Sequence, residues 1–292
     1  MIDRLDAETT REMQIQFTKM HGLGNDFVVV DGVSRNIELT AEQIKAMGDR
    51  RFGIGFDQLL LVEPASDPDA DFTYRIFNVD GSEVEHCGNG ARCFARFVRE
   101  KGLTDNNPVR VRTVNRVLTL ETDTAGNVTV DMGAPEFALE EIPFRSEELA
   151  LSYERQIQVA GEELTISFSA LSMGNPHAVI LVEDLSKAAV KDIGEALGNH
   201  PDFPEGVNVG FMQVVNRQEI RLRVYERGTG ETLACGTGAC AAVVTGRNRD
   251  LLDEEVSVRL AGGYLKIQWP GDGAPVLMSG PATTVFEGTI EL

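Results

Sequence analysis

No apolar run in this 292-residue chain approaches the roughly 18 residues needed to cross a bilayer, so the sequence offers no transmembrane helix. Its first residues, MIDRLDAETTREM, hold no apolar stretch of the kind that directs export, which makes the cytoplasm the expected compartment. Basic residues are scarce: 27 Lys and Arg stand against 46 Asp and Glu, for a net charge of −19 at pH 7. Nucleic acid recruits basic surfaces, so this balance argues against such a partner. It leaves room for an anionic small substrate, because a binding site is local. Cysteine is limited to Cys87, Cys93, Cys235 and Cys240, and no Cys-x-x-Cys occurs. That excludes the usual thiol–disulfide exchange motif. Zinc sites with Cys-x2-Cys spacing are also a poor fit, since five and four residues separate the pairs here. Without an export signal, free thiols are expected rather than disulfides. With 42% hydrophobic residues the chain still has ample core for about two domains.

The stretch Arg75 to Val98, RIFNVDGSEVEHCGNGARCFARFV, organises the rest. It reads as a strand, an Asn-Val-Asp-Gly turn, and a cysteine at the mouth of a glycine-rich run. Beyond Gly90, the residues Ala91, Cys93, Phe94, Phe97 and Val98 recur at helical spacing, which places Cys87 at a helix N-terminus. Free backbone N–H groups and the positive end of the helix dipole favour a thiolate there.

The same pattern occurs twice. Laid without gaps over Arg223 to Cys235, the segment Arg75 to Cys87 puts Arg75 on Arg223, Phe77 on Tyr225, Glu83 on Glu231 and Cys87 on Cys235. The offset is about half the chain. Asn25–Val30 falls on Asn175–Ile180, and Gly55–Leu59 near Gly206–Val209, at nearly the same offset. Such a repeat reads as two copies of one α/β half, each presenting a cysteine on a glycine-rich helix start. The expected architecture is mixed α/β, with two pseudo-symmetric domains. Residues 1–14 read as an extension, 15–132 with 281–292 as the first half, and 133–280 as the second.

Along the chain, Gln16 to Val30 reads as strand, Gly-rich turn and strand. Thr40 and Gln43 form a capping box ahead of a helix through Asp49. The first cysteine helix runs to Lys101, with Gly102 as its cap. Val109–Thr113, Val117–Glu121 and Val128–Met132 form an antiparallel run. Gly133 to Ala150 is the connection between halves. Lys187 to Asn199 has helical periodicity, and the second cysteine helix is expected over Ala239 to Asn248. Cys93 and Cys240 lie in apolar helical stretches and read as buried core thiols. The tail Pro281 to Leu292 alternates apolar and polar residues and is expected to pair with a sheet of the first half.

Two thiols on symmetric halves are expected to face one another across the cleft between them. A nucleophilic cysteine hydrolase uses one cysteine and leaves the duplication unexplained. A thiolate on one side of a carbon and a thiol on the other suit proton removal from one face and delivery to the opposite face, which inverts a stereocentre.

The segments HGLGNDF (21–27), GFDQLLLVE (55–63), RIFNVDGSEVEHCGNGARCFARF (75–97), SMGNPH (172–177) and YERGTGETLACGTGACAA (225–242) closely resemble the diaminopimelate epimerase family. The resemblance runs from about Gln14 to the C-terminus. It implies a cofactor-independent, metal-free isomerase that interconverts LL- and meso-2,6-diaminopimelate for lysine and peptidoglycan precursors, folded as two halves with strands wrapped about a central helix. It also implies a homodimer, with Phe286 standing where some relatives carry a tyrosine at the dimer contact. Carried over by motif, Cys87 and Cys235 resemble the acid/base thiols, and His177 and Glu226 the polar pair that tunes them and orients the amine. Asn25, Gln58, Asn78, Asn175, Asn208, Glu226 and Arg227 resemble the groups that hold the substrate's amino and carboxylate ends. Gly88, Asn89, Gly236 and Thr237 resemble the backbone donors for a carboxylate. His86 departs from the glutamine common before the first cysteine. The alternative substrates for a two-thiol racemase are proline and hydroxyproline. A non-catalytic thiol or metal-binding module is the alternative from another class.

Overall fold

The computed structural model describes residues 13–84 and 87–292. Residues 1–12 of the extension, and His86, lie outside the described residues.

The first half contains β1 (Gln14–Gly22), β2 (Asn25–Asp31), α1 (Ala41–Gly48), β3 (Gln58–Pro64), β4 (Phe72–Asn78), β5 (Glu83–Val84), α2 (Gly88–Glu100), β6 (Val109–Arg112), β7 (Val117–Thr122) and β8 (Val128–Asp131). The second contains β9 (Tyr153–Val159), β10 (Glu162–Ser172), β11 (Pro176–Leu181), α3 (Val190–Gly198), β12 (Asn208–Asn216), β13 (Glu219–Glu226), β14 (Gly230–Thr232), α4 (Gly236–Asn248), β15 (Glu255–Leu260), β16 (Gly263–Gln268) and β17 (Leu277–Gly280), and the chain closes with β18 (Thr283–Glu291). The fold is mixed α/β, mostly strands with few helices.

The strand order repeats as the sequence does. β1 pairs with β2, β2 runs parallel to β3, β3 pairs with β4, and β4 runs parallel to β6, which continues through β7 to β8. The series β10, β11, β12, β13, β15, β16, β17 follows the same directions. β8 pairs with β17 and joins the two series. β9 pairs with the earlier part of β10, Glu162–Phe168, while β11 pairs with Ser169–Ser172. In the first half β1 is paired on both sides, by β2 and, from the far end of the chain, by β18, with Gln14 opposite Glu291.

Local chemistry explains the element ends. Gly22 pairs with Asn25, leaving a two-residue loop in which Leu23 and Gly24 have φ of 57° and 92°, the type I′ geometry that matches strand twist. The capping box at α1 is formed both ways: the Gln43 amide donates to Thr40 Oγ1 at 3.2 Å, and the Thr40 amide donates to Gln43 Oε1 at 2.9 Å. The helix expected from Lys187 begins only at Val190. Asp184 accepts from the Ser186 amide at 3.0 Å and closes a separate 3-10 turn over Leu185–Lys187, after which Ala188 is extended. The second cysteine helix begins earlier than expected, at Gly236, because its first turn is built from small residues that lack the apolar period.

Burial follows strand parity. Phe27, Val29, Leu60 and Val62 face inward onto α2, whereas Val28, Val30, Leu59 and Leu61 face outward onto the cluster that includes Ile44 and Met47 of α1. Strands covered on both faces explain the unbroken apolar runs of β2 and β3. Each such side chain contributes about 1.5–3 kcal/mol on burial. The inward core is continuous from α2 to α4, so the two cysteine helices share one packed interior. The connecting tract is not a free linker: Ile142 and Phe144 are buried in the second half, and Phe144 stacks on Phe203 at 4.5 Å. Cys93 and Cys240 are fully buried.

Candidate active site

Cys87 and Cys235 occupy the same structural position twice over. Each is extended, with φ −144° and −116°, and each is the residue before the first turn of its helix. Neither sulfur is closed off by a capping bond, so the first-turn amides of α2 and α4 remain available. Both residues open onto one cavity of about 880 Å³. Gly88 and Asn89 line it from one helix start, Gly236 and Thr237 from the other. All four cysteines are free.

Strand ends supply the polar wall. Asn25 begins β2 at the exit of the Leu23-Gly24 turn, Gln58 begins β3, and Asn78 and Glu226 end β4 and β13. These four, with Asn175, line the cavity. Gln58 Nε2 donates to Asn78 Oδ1 at 3.1 Å, while Gln58 Oε1 is buried without a partner among the described residues. Asn25 presents its carbonyl oxygen 3.8 Å from Cys87 Sγ and accepts from Asn89 Nδ2 at 3.2 Å.

Three residues named from the sequence stand behind this wall rather than on it. His177 is buried, and its Nε2 lies 2.9 Å from Asn175 Oδ1, while Asn175 Nδ2 donates to Thr237 Oγ1 at 3.4 Å. His177 therefore fixes the orientation of a cavity amide. Burial, reinforced by the charge of Arg227, lowers its pKa to about 3, so the ring is neutral. Asn208 accepts from the Arg227 backbone amide at 2.9 Å. The Arg227 guanidinium is turned away from the cavity and donates to the Glu205 carbonyl at 2.7 Å.

The two thiols are not electrostatically equal. Burial raises the pKa of Cys87, opposed by the amides of Gly90 and Asn89; the Glu226 carboxylate raises it further and the charge of Arg92 acts the other way. Burial raises Cys235 much further, and the adjacent Glu226 carboxylate adds to it. Glu226 is itself raised by burial, although hydrogen bonds from Thr232 and Cys235 hold part of its charge.

A charged cluster invisible to spacing lies beside Asn25. Arg50 donates to Asp26 at 2.8 Å and to Asp57 at 2.7 Å, and Lys19 donates to Asp26 and to the Gly55 carbonyl. Asp57 in turn accepts from Asn25 Nδ2 at 2.8 Å. Burial raises the Asp26 pKa, but its bonds to Arg50 and Lys19 outweigh this and bring it down to about 2. Asp26 and Asp57 lie inside the motif segments, so their position was a signal. Nothing in the spacing marked Arg50.

Comparison with known proteins decides what this arrangement belongs to. A family model described as diaminopimelate epimerase matches residues 17–138 and 169–285. The chain belongs to the diaminopimelate epimerase family. A protein of Cupriavidus taiwanensis named diaminopimelate epimerase is 57% identical over 283 residues, covering 96% of this chain and 98% of that one. One of Chromobacterium violaceum with the same name is 56% identical over 280 residues, covering 96% and 100%. Among solved structures, a hydroxyproline epimerase from Agrobacterium vitis with bound trans-4-hydroxy-L-proline superposes with a TM-score of 0.69 at 18% identity, covering 96% of this chain and 93% of that one. A PhzF-family phenazine biosynthesis protein from Bacillus anthracis gives 0.66 at 18% identity, covering 95% and 99%. At such identities these last two share the fold. Among the described residues no group of three or more His, Cys, Asp or Glu side chains is placed to hold a metal ion, and no helix is long and apolar enough to cross a membrane.

Proposed function

We propose that this chain interconverts LL- and meso-2,6-diaminopimelate by proton transfer between Cys87 and Cys235, without a cofactor. The observation that carries this reading is the pair of cysteines, each at a free helix N-terminus, on a single cavity. One thiolate takes the α-proton and becomes a thiol. The bond electrons pass into the α-carboxylate as an enolate, and the opposite thiol returns a proton to the other face of the carbon, becoming a thiolate. General acid–base catalysis of this kind contributes about 10²–10⁴-fold.

The α-carboxylate sits at the amides of Gly88-Asn89 and Gly236-Thr237, where two helix dipoles meet the growing negative charge. Each well-aimed donor is worth about 3 kcal/mol in such a site. Glu226 receives the reacting ammonium, and His177 acts by holding Asn175. Asn25, Gln58, Asn78 and Asn175 receive the distal amino-acid end. Asn208 pins the Arg227 backbone, so the guanidinium reaches the distal carboxylate by rotating off the Glu205 carbonyl. Residues 15–132 with 281–292 act as one half of the enzyme and 133–280 as the other. The enzyme works in the cytoplasm as a homodimer, through the face carrying the exposed Val285 and Phe286 of β18.

The test uses purified protein with LL-diaminopimelate in deuterium oxide, with reductant and no added cofactor, followed by NMR and chiral chromatography. Deuterium at one α-carbon together with meso product is expected. Cys87→Ala and Cys235→Ala are each expected to abolish the meso product while keeping the native circular dichroism. Exchange with proline or hydroxyproline alone would move the substrate, and a folded cysteine variant with undiminished turnover would remove the two-thiol mechanism.

A further inference from the structure

The Asn-Val-Asp-Gly turn between β4 and β5 starts a chain of hydrogen bonds that runs into the cavity wall. Asp80 is exposed, and the hydroxyl and amide of Ser82 hold its carboxyl below the usual carboxylate range. An ionised carboxylate can only accept, so the Ser82 hydroxyl donates to Asp80 Oδ1, at 2.6 Å. The Ser82 oxygen then accepts from Asn78 Nδ2 at 3.2 Å. That turns Asn78 Oδ1 to the other side, where it accepts from Gln58 Nε2 at 3.1 Å. The last link is Gln58 Oε1, an acceptor buried in the wall and unmet among the described residues. One carboxylate thus decides which way two amides point.

Asn25, the neighbouring amide on this wall, is set in the same manner. Its Nδ2 donates to Asp57 Oδ2 at 2.8 Å, which leaves Oδ1 on the Cys87 side. Asn25 opens β2 and Gln58 opens β3, and the two strands run side by side.

The second half has the corresponding wall without the chain. Leu59 pairs with Phe77 as Val209 pairs with Tyr225, so Gln58 corresponds to Asn208 and Asn78 to Glu226. Asp80 and Ser82 correspond to Gly228 and Gly230, which have no side chain to pass a bond on. Asn208 is already engaged: it accepts from the Arg227 amide and donates to the Pro176 carbonyl at 3.2 Å. In that half a carboxylate, Glu226, stands on the wall itself. In the first half the carboxylate stands behind the wall and acts through neutral amides.

We propose that Gln58 Oε1 takes an ammonium of the substrate, and that Asp80, through Ser82 and Asn78, is a positioning residue that keeps this oxygen available to it. The inference rests on the diaminopimelate reading of the site and deepens it. Diaminopimelate donates only through its two ammonium groups, whereas its carboxylates bring lone pairs that an unmet acceptor repels. Glu226 receives the reacting ammonium and Gln58 the distal one, so each half reads one amine. A buried acceptor is most costly when unmet, and a ligand without the distal amine leaves it so.

The test compares two ligands that differ by that amine: diaminopimelate, as an equilibrated LL and meso mixture, and racemic 2-aminopimelate. Calorimetry gives the dissociation constant of each on wild type, Ser82→Ala, Asp80→Ala, Asp80→Asn and Gln58→Met. The wild type is expected to prefer diaminopimelate by about 10- to 100-fold. Gln58→Met removes the acceptor, and Ser82→Ala and Asp80→Ala free the amides to turn, so each is expected to abolish most of that preference. Asp80→Asn keeps it, because the Ser82 backbone amide, which donates at 2.9 Å to the same oxygen, fixes the new amide with its oxygen inward. A wild type that binds both ligands alike overturns the proposal, and that result needs no variant to fold. So does a folded Ser82→Ala protein that weakens both ligands equally, as a purely structural turn would. Absence of deuterium exchange with diaminopimelate in the wild type overturns the substrate reading and this inference with it. Normal exchange beside an unmoved preference in the variants overturns this inference alone.

Discussion

Asn89, one residue into the first cysteine helix, donates from its amide nitrogen to the carbonyl of Ala234 at 3.2 Å, and Ala234 is the residue before the second cysteine. A single side chain thus sets the spacing of two helix starts contributed by different parts of the chain. Asn89→Ala is expected to lower kcat/KM about 10- to 100-fold, because a thiol displaced by a fraction of an ångström no longer meets the α-carbon in line. Kinetics combined with a thermal melt check this; unchanged kcat/KM in a folded variant would show that the link is structural only.

Asp57 holds the Asn25 amide nitrogen at 2.8 Å and so turns the Asn25 oxygen toward Cys87. Asp57→Ala leaves Arg50 its bonds to Asp26, and the cluster survives while Asn25 is free to rotate. An increase of about tenfold in KM, or about 1.4 kcal/mol, is the expected result, with little loss of stability. An unaltered KM would mean that Asn25 does not contact substrate.

His177 gives a pH signature. Its folded pKa of about 3 lies below the ordinary value of 6.5, so the unfolded chain binds the proton more readily. Stability from this group is complete above pH 6.5 and declines as pH falls toward 3. Between pH 7 and pH 5 the loss is about 2 kcal/mol. Urea denaturation at both values measures it, and His177→Gln should remove that part of the difference. An equal pH dependence in the variant would contradict the assignment.

Tyr74 carries a buried hydroxyl with no hydrogen-bond partner among the described residues, and a Cβ at Gly90 would collide with it. Tyr74→Phe is expected to stabilise by about 1 kcal/mol, since the orphan hydroxyl is removed and the ring packing on Phe94 at 4.8 Å is kept. Gly90→Ala alone is expected to cost about 1–3 kcal/mol. In the Tyr74→Phe background much of that cost disappears. Additive effects in this double-mutant cycle would place the clash elsewhere.

What was legible in the sequence was local or repeated. The two cysteine helix starts, the Thr40–Gln43 box and the turn at Leu23-Gly24 each depend on a few adjacent residues. β5 and β14, at two and three residues, are too short to show a period, and both exist because β4 and β13 fold back on them. The late start of α3 depends on the Asp184 side chain taking the Ser186 amide, which competes with a helical pattern that begins at Lys187. Arg50, the outward turn of Arg227 and the Asn89–Ala234 bond are products of tertiary proximity, and no spacing encodes them.

The pairing of β1 with β18 has a consequence for synthesis. On a ribosome β9 and β10 emerge as neighbours and can pair at once, whereas β1 waits, the edge that β18 takes unpaired, until Thr283–Glu291 has been made. An open edge of that kind invites pairing with other chains. The nascent protein therefore passes through a stage in which β1 has an open edge, and the synthesis of β18 ends it.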